Sequence, residues 1–167
     1  ALDLTLESTG AVLVGNEIVE PQGAGIQVAA LAAPVTARHV ETVRLEGNRV
    51  SGAAAEGVLV HSSDAGRIAG LTMLSDTVER CAVGIAVEGV GLASLSAITA
   101  TASTGPGLLL RDVAAATLHG SRVTRNHGGV RVVEATGSAT SIVIGGSPEQ
   151  HNDLRANSGP ELELVNE

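Results

Sequence analysis

The feature that most constrains this chain is a tetrapeptide, Gly-apolar-x-apolar, that recurs along almost its whole length. It reads Gly25-Ile26-Gln27-Val28, Gly57-Val58-Leu59-Val60, Gly84-Ile85-Ala86-Val87, Gly107-Leu108-Leu109-Leu110 and Gly129-Val130-Arg131-Val132. A weaker sixth copy, Glu161-Leu162-Glu163-Leu164, follows Gly159-Pro160. The five Gly positions lie 32, 27, 23 and 22 residues apart. A second motif precedes each copy. Leu13-Val14-Gly15-Asn16-Glu17-Ile18, Leu45-Glu46-Gly47-Asn48-Arg49-Val50, Met73-Leu74-Ser75-Asp76-Thr77-Val78 and Leu118-His119-Gly120-Ser121-Arg122-Val123 share one pattern. Leu95 to Ala100 and Asn152-Asp153-Leu154 are degraded copies. Six or seven residues separate the end of this motif from the next Gly in the clear copies. Two motifs in fixed order with a near-fixed gap mean a stack of similar supersecondary units.

Each unit can be read physically. Apolar-x-apolar alternation marks a strand with one buried face. Two or three short strands joined by Gly-, Asn- and Ser-rich bends fill a coil of this length. Most of these coils are too short for a β-crossover helix-β unit, and no segment carries a capped helical period. The chain is therefore expected to be all-β, a right-handed single-stranded parallel β-helix of about six coils. It is expected to form one domain over 1–167, as a segment of a longer protein.

Residues at one motif position should stack in columns. Ile26, Val58, Ile85, Leu108, Val130 and Leu162 form one inner column. Val28, Val60, Val87, Leu110, Val132 and Leu164 form the next. Asn16, Asn48, Asp76, Ser121 and Asn152 share a bend position, where small polar side chains can hydrogen-bond along the stack. The Gly opening each strand is expected at a tight corner with positive φ.

Composition narrows what such a solenoid can do. There is no Phe, Tyr or Trp, so the interior must be filled by Leu, Ile, Val, Ala and one Met. All basic residues are Arg, and the formal net charge is −8. Nucleic-acid binding needs a basic face and often aromatic platforms, so no nucleic-acid partner is expected. No apolar run reaches the roughly 18 residues of a membrane span. Cys81 is the only cysteine and the histidines show no ligand spacing, so neither a disulfide, a metal nor a cofactor is expected. Arg80 precedes Cys81, and a cation can activate a thiol. With no identifiable base nearby, Cys81 reads instead as a small residue at a corner.

The paired motifs resemble the parallel β-helix repeats of the pectate-lyase-like superfamily. So does the segment Ile144-Gly145-Gly146-Ser147-Pro148 with His151-Asn152-Asp153-Leu154 and Asn157-Ser158-Gly159. The resemblance runs from about Leu13 to Leu164. It implies the fold; the superfamily holds polysaccharide lyases, hydrolases and epimerases as well as non-catalytic adhesins and surface proteins. No catalytic motif of that family maps onto this chain.

The columns bring together one set of chemical candidates. Beyond the Gly motif lie Ala29, His61, Glu88, Arg111 and Val133, and one residue further Ala30, Ser62, Gly89, Asp112 and Glu134. His61, Glu88 and Arg111 should be neighbours in three adjacent coils, with Asp112 and Glu134 beside them as candidate ligand-binding residues. Arg111 could hold an acidic sugar while His61 or Glu88 abstracts a proton. The plainer reading makes them solvated corner residues whose ion pairs contribute little. Two further outward columns are Glu17, Arg49, Thr77, Thr99, Arg122, Asp153 and Gln27, Leu59, Ala86, Leu109, Arg131, Glu163. The first reads as a charged, solvated face. The second carries an apolar strip, Leu59-Ala86-Leu109, that either stands wet or is covered.

The expected function is a non-catalytic β-helix scaffold or binding module of a secreted or cell-surface protein. Its expected partners are neighbouring domains or copies of itself at the solenoid ends, and polysaccharide. The competing expectation is an acidic-polysaccharide lyase or epimerase acting on the outer face of the β-helix.

Overall fold

The computed structural model describes all residues except 6–9, 31–39, 64–67, 135–140, 146–150 and 167. All regular structure among the described residues is strand. The first turn contains β1 (Leu2–Thr5), β2 (Gly10–Val14) and β3 (Glu17–Val19). The second contains β4 (Ile26–Ala30), β5 (Val40–Glu46) and β6 (Arg49–Ser51), and the third β7 (Glu56–Ser62), β8 (Ile68–Leu74) and β9 (Thr77–Glu79). The fourth contains β10 (Val83–Glu88), β11 (Val90–Ser96) and β12 (Thr99–Thr101), and the fifth β13 (Pro106–Arg111), β14 (Ala115–His119) and β15 (Arg122–Thr124). The chain continues through β16 (Gly128–Glu134), β17 (Ser141–Ile144) and β18 (Leu162–Asn166).

Every pairing between these strands is parallel and joins one turn to the next. The first sheet runs β1-β4-β7-β10-β13-β16-β18, the second β2-β5-β8-β11-β14-β17, and the third β3-β6-β9-β12-β15. The molecule is thus a parallel β-solenoid with three strands per turn. The expectation of about six coils is corrected. The structure forms about four turns; within them every strand from β4 to β12 is paired on both sides. The third sheet ends early, because beyond β15 only the bridge Arg122↔Asp153 continues it. Counting Gly motifs overestimates the turns, since each motif supplies only a first-sheet strand.

Register follows the motif columns. Ile26 pairs with Val58, Val58 with Ile85, Ile85 with Leu108, Leu108 with Val130, and Val130 with Leu162. Both inner columns are buried through β16 and pack with Leu45, Leu71, Met73 and Leu95 of the second sheet into one aliphatic core. At β18 the expectation fails. Leu162 is 47% and Leu164 72% exposed, because β18 pairs with β16 on one side only.

The bends use two devices, each stacked from turn to turn. The residue after the second-sheet strand is left-handed at Gly15, Gly47, Ser75, Ala97 and Gly120, with φ between 52° and 65°. The next residue faces inward and forms the expected polar ladder. The Asn16 N–H donates to Asn48 Oδ1 at 3.0 Å, the Asn48 N–H to Asp76 Oδ1 at 2.9 Å, and the Ser121 N–H to Asn152 Oδ1 at 2.9 Å. Ile98 occupies this position in the fourth turn, and its N–H donates to Ser121 Oγ. A second ladder follows five residues later. The Ser103 N–H donates to Asn126 Oδ1 and the Asn126 N–H to Asn157 Oδ1, both at 2.9 Å. It too follows left-handed residues: Ala102, Arg125 and Ala156. Cys81 occupies the same column, a small corner residue as expected; it is buried, and burial pushes its thiol up.

The motif glycines have a different reason from the expected one. Gly25, Gly57, Gly84, Gly107 and Gly129 are not in the left-handed region. They lack room for a Cβ. At Gly25 it would meet Val50 and lie 2.6 Å from Gly57 O; at Gly57 it would meet Val78 and lie 2.8 Å from Gly84 O. The corner brings one turn's backbone against the next, and only a hydrogen fits between them.

Candidate functional site

The differences in coil length collect at one corner, between the first and second sheets. Nine residues join β4 to β5, five join β7 to β8, one joins β10 to β11, three join β13 to β14, and six join β16 to β17. Connections that vary while their scaffold stays in register are where binding residues are commonly carried. The candidate residues sit on this edge. His61 ends its run in β7 opposite Glu88 at the end of β10, and Glu88 lies opposite Arg111 at the end of β13. Sequence spacing alone therefore placed these three residues in adjacent turns.

Their chemistry is modest. Arg111 Nη1 lies 3.4 Å from Glu88 Oε1, with side chains 44% and 30% exposed. Such an open ion pair contributes at most about 1 kcal/mol. Among the described residues no hydrogen bond joins the His61 ring to Glu88, although the two stand opposite each other in adjacent turns. Asp112 is a left-handed corner residue with φ 51°, and its N–H donates to Val133 O at 3.0 Å. Glu134 ends β16, opposite Asn166 of β18. The structure places Asp112 and Glu134 one residue beyond the Glu88–Arg111 pair, on the same edge.

The neighbouring outward column keeps its expected register, Gln27 through Glu163. Its apolar strip is not simply wet. Ala86 is only 1% exposed, although it lies outside the core cluster, between half-buried Leu59 and Leu109. The strip ends at Arg131, whose Nε lies 3.4 Å from Glu163. On the third sheet the column from Glu17 to Arg122 is also in register. Charge pairing there is partly diagonal: Arg49 reaches Glu79 at 2.7 Å, whereas Arg122 lies 3.8 Å from Asp153 directly across the bridge.

Sequence reasoning missed a cleft of about 450 Å³ on this third face, lined by Arg122, Thr124, Arg125, Asp153, Arg155 and Ala156. The stripe had marked Arg122 and Asp153. The five-residue offset from Ser121 to Asn126 and from Asn152 to Asn157 was the signal that could have added the rest. Of the segment that carried the family resemblance, Gly146, Ser147 and Pro148 lie outside the described residues. No group of three His, Cys, Asp or Glu residues among the described ones could hold a metal ion. No described helix is long and apolar enough to cross a membrane. Nothing among protein-family models, curated proteins or solved structures matches the chain.

Proposed function

We propose that this chain is a non-catalytic β-helix scaffold or binding module of a secreted or cell-surface protein. The observation that carries this reading is the state of the His61, Glu88 and Arg111 edge. These groups stand at the ends of strands paired on both sides, and Glu88 and Arg111 pair with side chains 30% and 44% exposed. Acid–base catalysis asks for groups held within hydrogen-bond reach of one another or of a substrate, in a site that excludes water. A regular outer surface with variable connections at one corner suits presentation of binding groups better than turnover. We take the coil to be right-handed, since a crossover between parallel strands of one sheet almost always is. The stacked Asn ladders and paired motifs support a pectate-lyase-like solenoid, and the secreted or surface setting rests on that resemblance. Its partners would be neighbouring domains, further copies, or polysaccharide.

The adjacency of His61, Glu88 and Arg111 favours one second reading, an acidic-polysaccharide lyase or epimerase. In a lyase a base removes the proton α to the uronate carboxyl while Arg111 neutralises that carboxylate. The glycosidic oxygen then leaves, forming a C=C bond that absorbs in the ultraviolet. Incubation with a panel of uronic-acid polymers separates the readings. The scaffold reading expects no unsaturated product and no epimerised sugar. Turnover that disappears in Arg111→Ala would replace it with the enzyme reading.

A further inference from the structure

The third face carries an electrostatic anomaly. The chain has 18 acidic residues against 10 basic ones, so its arginines should find carboxylates easily. Most described ones do. Arg44, Arg49, Arg80, Arg111, Arg131 and Arg155 each lie within 3.4 Å of an Asp or Glu oxygen. Arg122 reaches Asp153 only at 3.8 Å, and Arg125 has no ion pair or side-chain hydrogen bond among the described residues. Arg122 and Arg125 line the same cleft, together with Arg155 and Asp153. Three guanidiniums against one carboxylate leave this cleft two positive charges, in a chain of net charge −8.

The cleft is also organised. Asp153 accepts from Arg155 Nε at 2.9 Å and from Nη2 at 3.2 Å. Those hydrogen bonds hold its carboxyl down at about 2, so it stays ionised opposite Arg155. The bridge Arg122↔Asp153 fixes the spacing of the two turns. Arg125 stands at a left-handed position with φ 59°, one residue before the ladder residue Asn126, whose buried amide bonds to both adjacent turns. The backbones on which Arg122, Arg125 and Arg155 stand are therefore held rigidly around a cationic space. With no Phe, Tyr or Trp in the chain, a stacked base or sugar is not what it suits.

We infer that this cleft binds a doubly charged oxyanion, a sulfate or phosphate group, between Arg122, Arg125 and Arg155. Guanidinium donors match such oxygens geometrically, and charge-assisted hydrogen bonds are the stronger kind. The site lies on the third sheet, away from the His61 edge, and does not rest on the function proposed above.

The test is a titration of the arginine Nε–H resonances with sodium sulfate or sodium phosphate, against sodium chloride at matched ionic strength. Saturable shifts at Arg122, Arg125 and Arg155 are expected with the oxyanions alone. Arg125→Ala and Arg122→Ala should each weaken binding about tenfold, with unchanged melting temperature, while Arg44→Ala has no effect. Parallel titration with heparin identifies the source of the group. Binding of heparin but not of the inorganic ions, lost in Arg125→Ala, assigns the group to a polymer. Saturation by the inorganic ions shows that the free oxyanion suffices. Identical shifts with chloride, or an Arg125→Ala variant that binds like the parent, would overturn the assignment.

Discussion

Ile98 interrupts the first polar ladder, and Asp76 bears the consequence. Asp76 is buried, and its Oδ1 accepts from both the Asn48 N–H and the Asn48 amide. Its Oδ2 is buried without a hydrogen-bond partner among the described residues. Burial outweighs the hydrogen bonds to Asn48 and raises the carboxyl above its ordinary value of 3.8. The sign of the linkage follows. An acid whose folded pKa exceeds its unfolded pKa prefers the protonated form when folded. Its penalty is therefore absent below the unfolded value, grows as pH rises through the folded pKa, and is full above it. Elsewhere in the ladder the amide bonds backward: Asn48 Nδ2 donates to Leu13 O, and Asn152 Nδ2 to Leu118 O. In Asp76→Asn the equivalent acceptor is Leu45 O. This substitution should stabilise the protein at pH 7 by about 1–2 kcal/mol. It should also remove the penalty that the parent takes on as pH rises above the ordinary carboxylate range. Urea denaturation at pH 4 and pH 7 checks both; a variant less stable than the parent at pH 7 would show that the ladder needs the carboxylate.

At the scale of strands and bends, two kinds of glycine can be separated by alanine. A Cβ at Gly107 would collide with the Asn126 amide and lie 2.5 Å from Val123 Cγ1, both buried. Gly107→Ala should cost about 2–3 kcal/mol and broaden the unfolding transition. Gly120 has open space around its Cα but a φ of 56°, so Gly120→Ala should cost only about 1 kcal/mol. Chemical denaturation of the two variants gives the comparison. The strands themselves allow a sharper contrast. Val87 is fully buried between Val60 and Leu110, and Val87→Asp would place an unpaired carboxylate there, costing at least about 3 kcal/mol. Arg131→Ala removes only a half-exposed pair with Glu163 and should change stability by less than about 1 kcal/mol. Equal melting temperatures would mean that the faces are assigned one residue out of step.

These elements also show what could be read in advance. Alternation such as Ile85-Ala86-Val87 has a period of two, so it fixed which side chains face inward and which residues pair. The motif glycines are visible in the sequence, but their reason is not. Sequence shows that a side chain is avoided at Gly57, yet not whether conformation or a neighbouring turn forbids it. The second ladder does not stand out in the sequence, because its members change type, Cys81 to Ser103 to Asn126, while only their five-residue offset from the first ladder persists. The Arg122 cleft stayed hidden for a related reason. Its members come from two turns and three separate positions, which no single column collects.

At the scale of the whole molecule, stability is divided among neighbouring turns, because each turn contacts mainly the ones before and after it. The first and last strands are the exceptions. β1 pairs only with β4 and β18 only with β16, and exposed apolar side chains gather there: Val12, Val14 and Val19 in the first turn, Leu162 and Leu164 in the last. Asp3 lies on β1, and Glu161 and Glu163 lie on or beside β18, so contact between the two ends opposes like charges. The isolated 167-residue chain should scatter light as a single particle at low ionic strength and self-associate weakly at high salt, where that repulsion is screened. Scattering that is flat across a salt series would show that both edges protect themselves. Function was the least legible property, because side-chain positions on an outer face state what is adjacent, not what binds.

The corner between the first and second sheets has a practical meaning. It bridges the same pair of sheets with as few as one residue and as many as nine, while Ala30 still meets Ser62 and Glu88 still meets Arg111. Closing a longer loop costs little extra, about 0.6 kcal/mol for each doubling of its length. A foreign peptide spliced between Gly89 and Val90, the tightest of these crossings, should therefore leave the rod intact. The solenoid then becomes a ruler for display: epitopes grafted at successive crossings would stand about 4.8 Å apart along a rigid axis, at a spacing chosen by the designer.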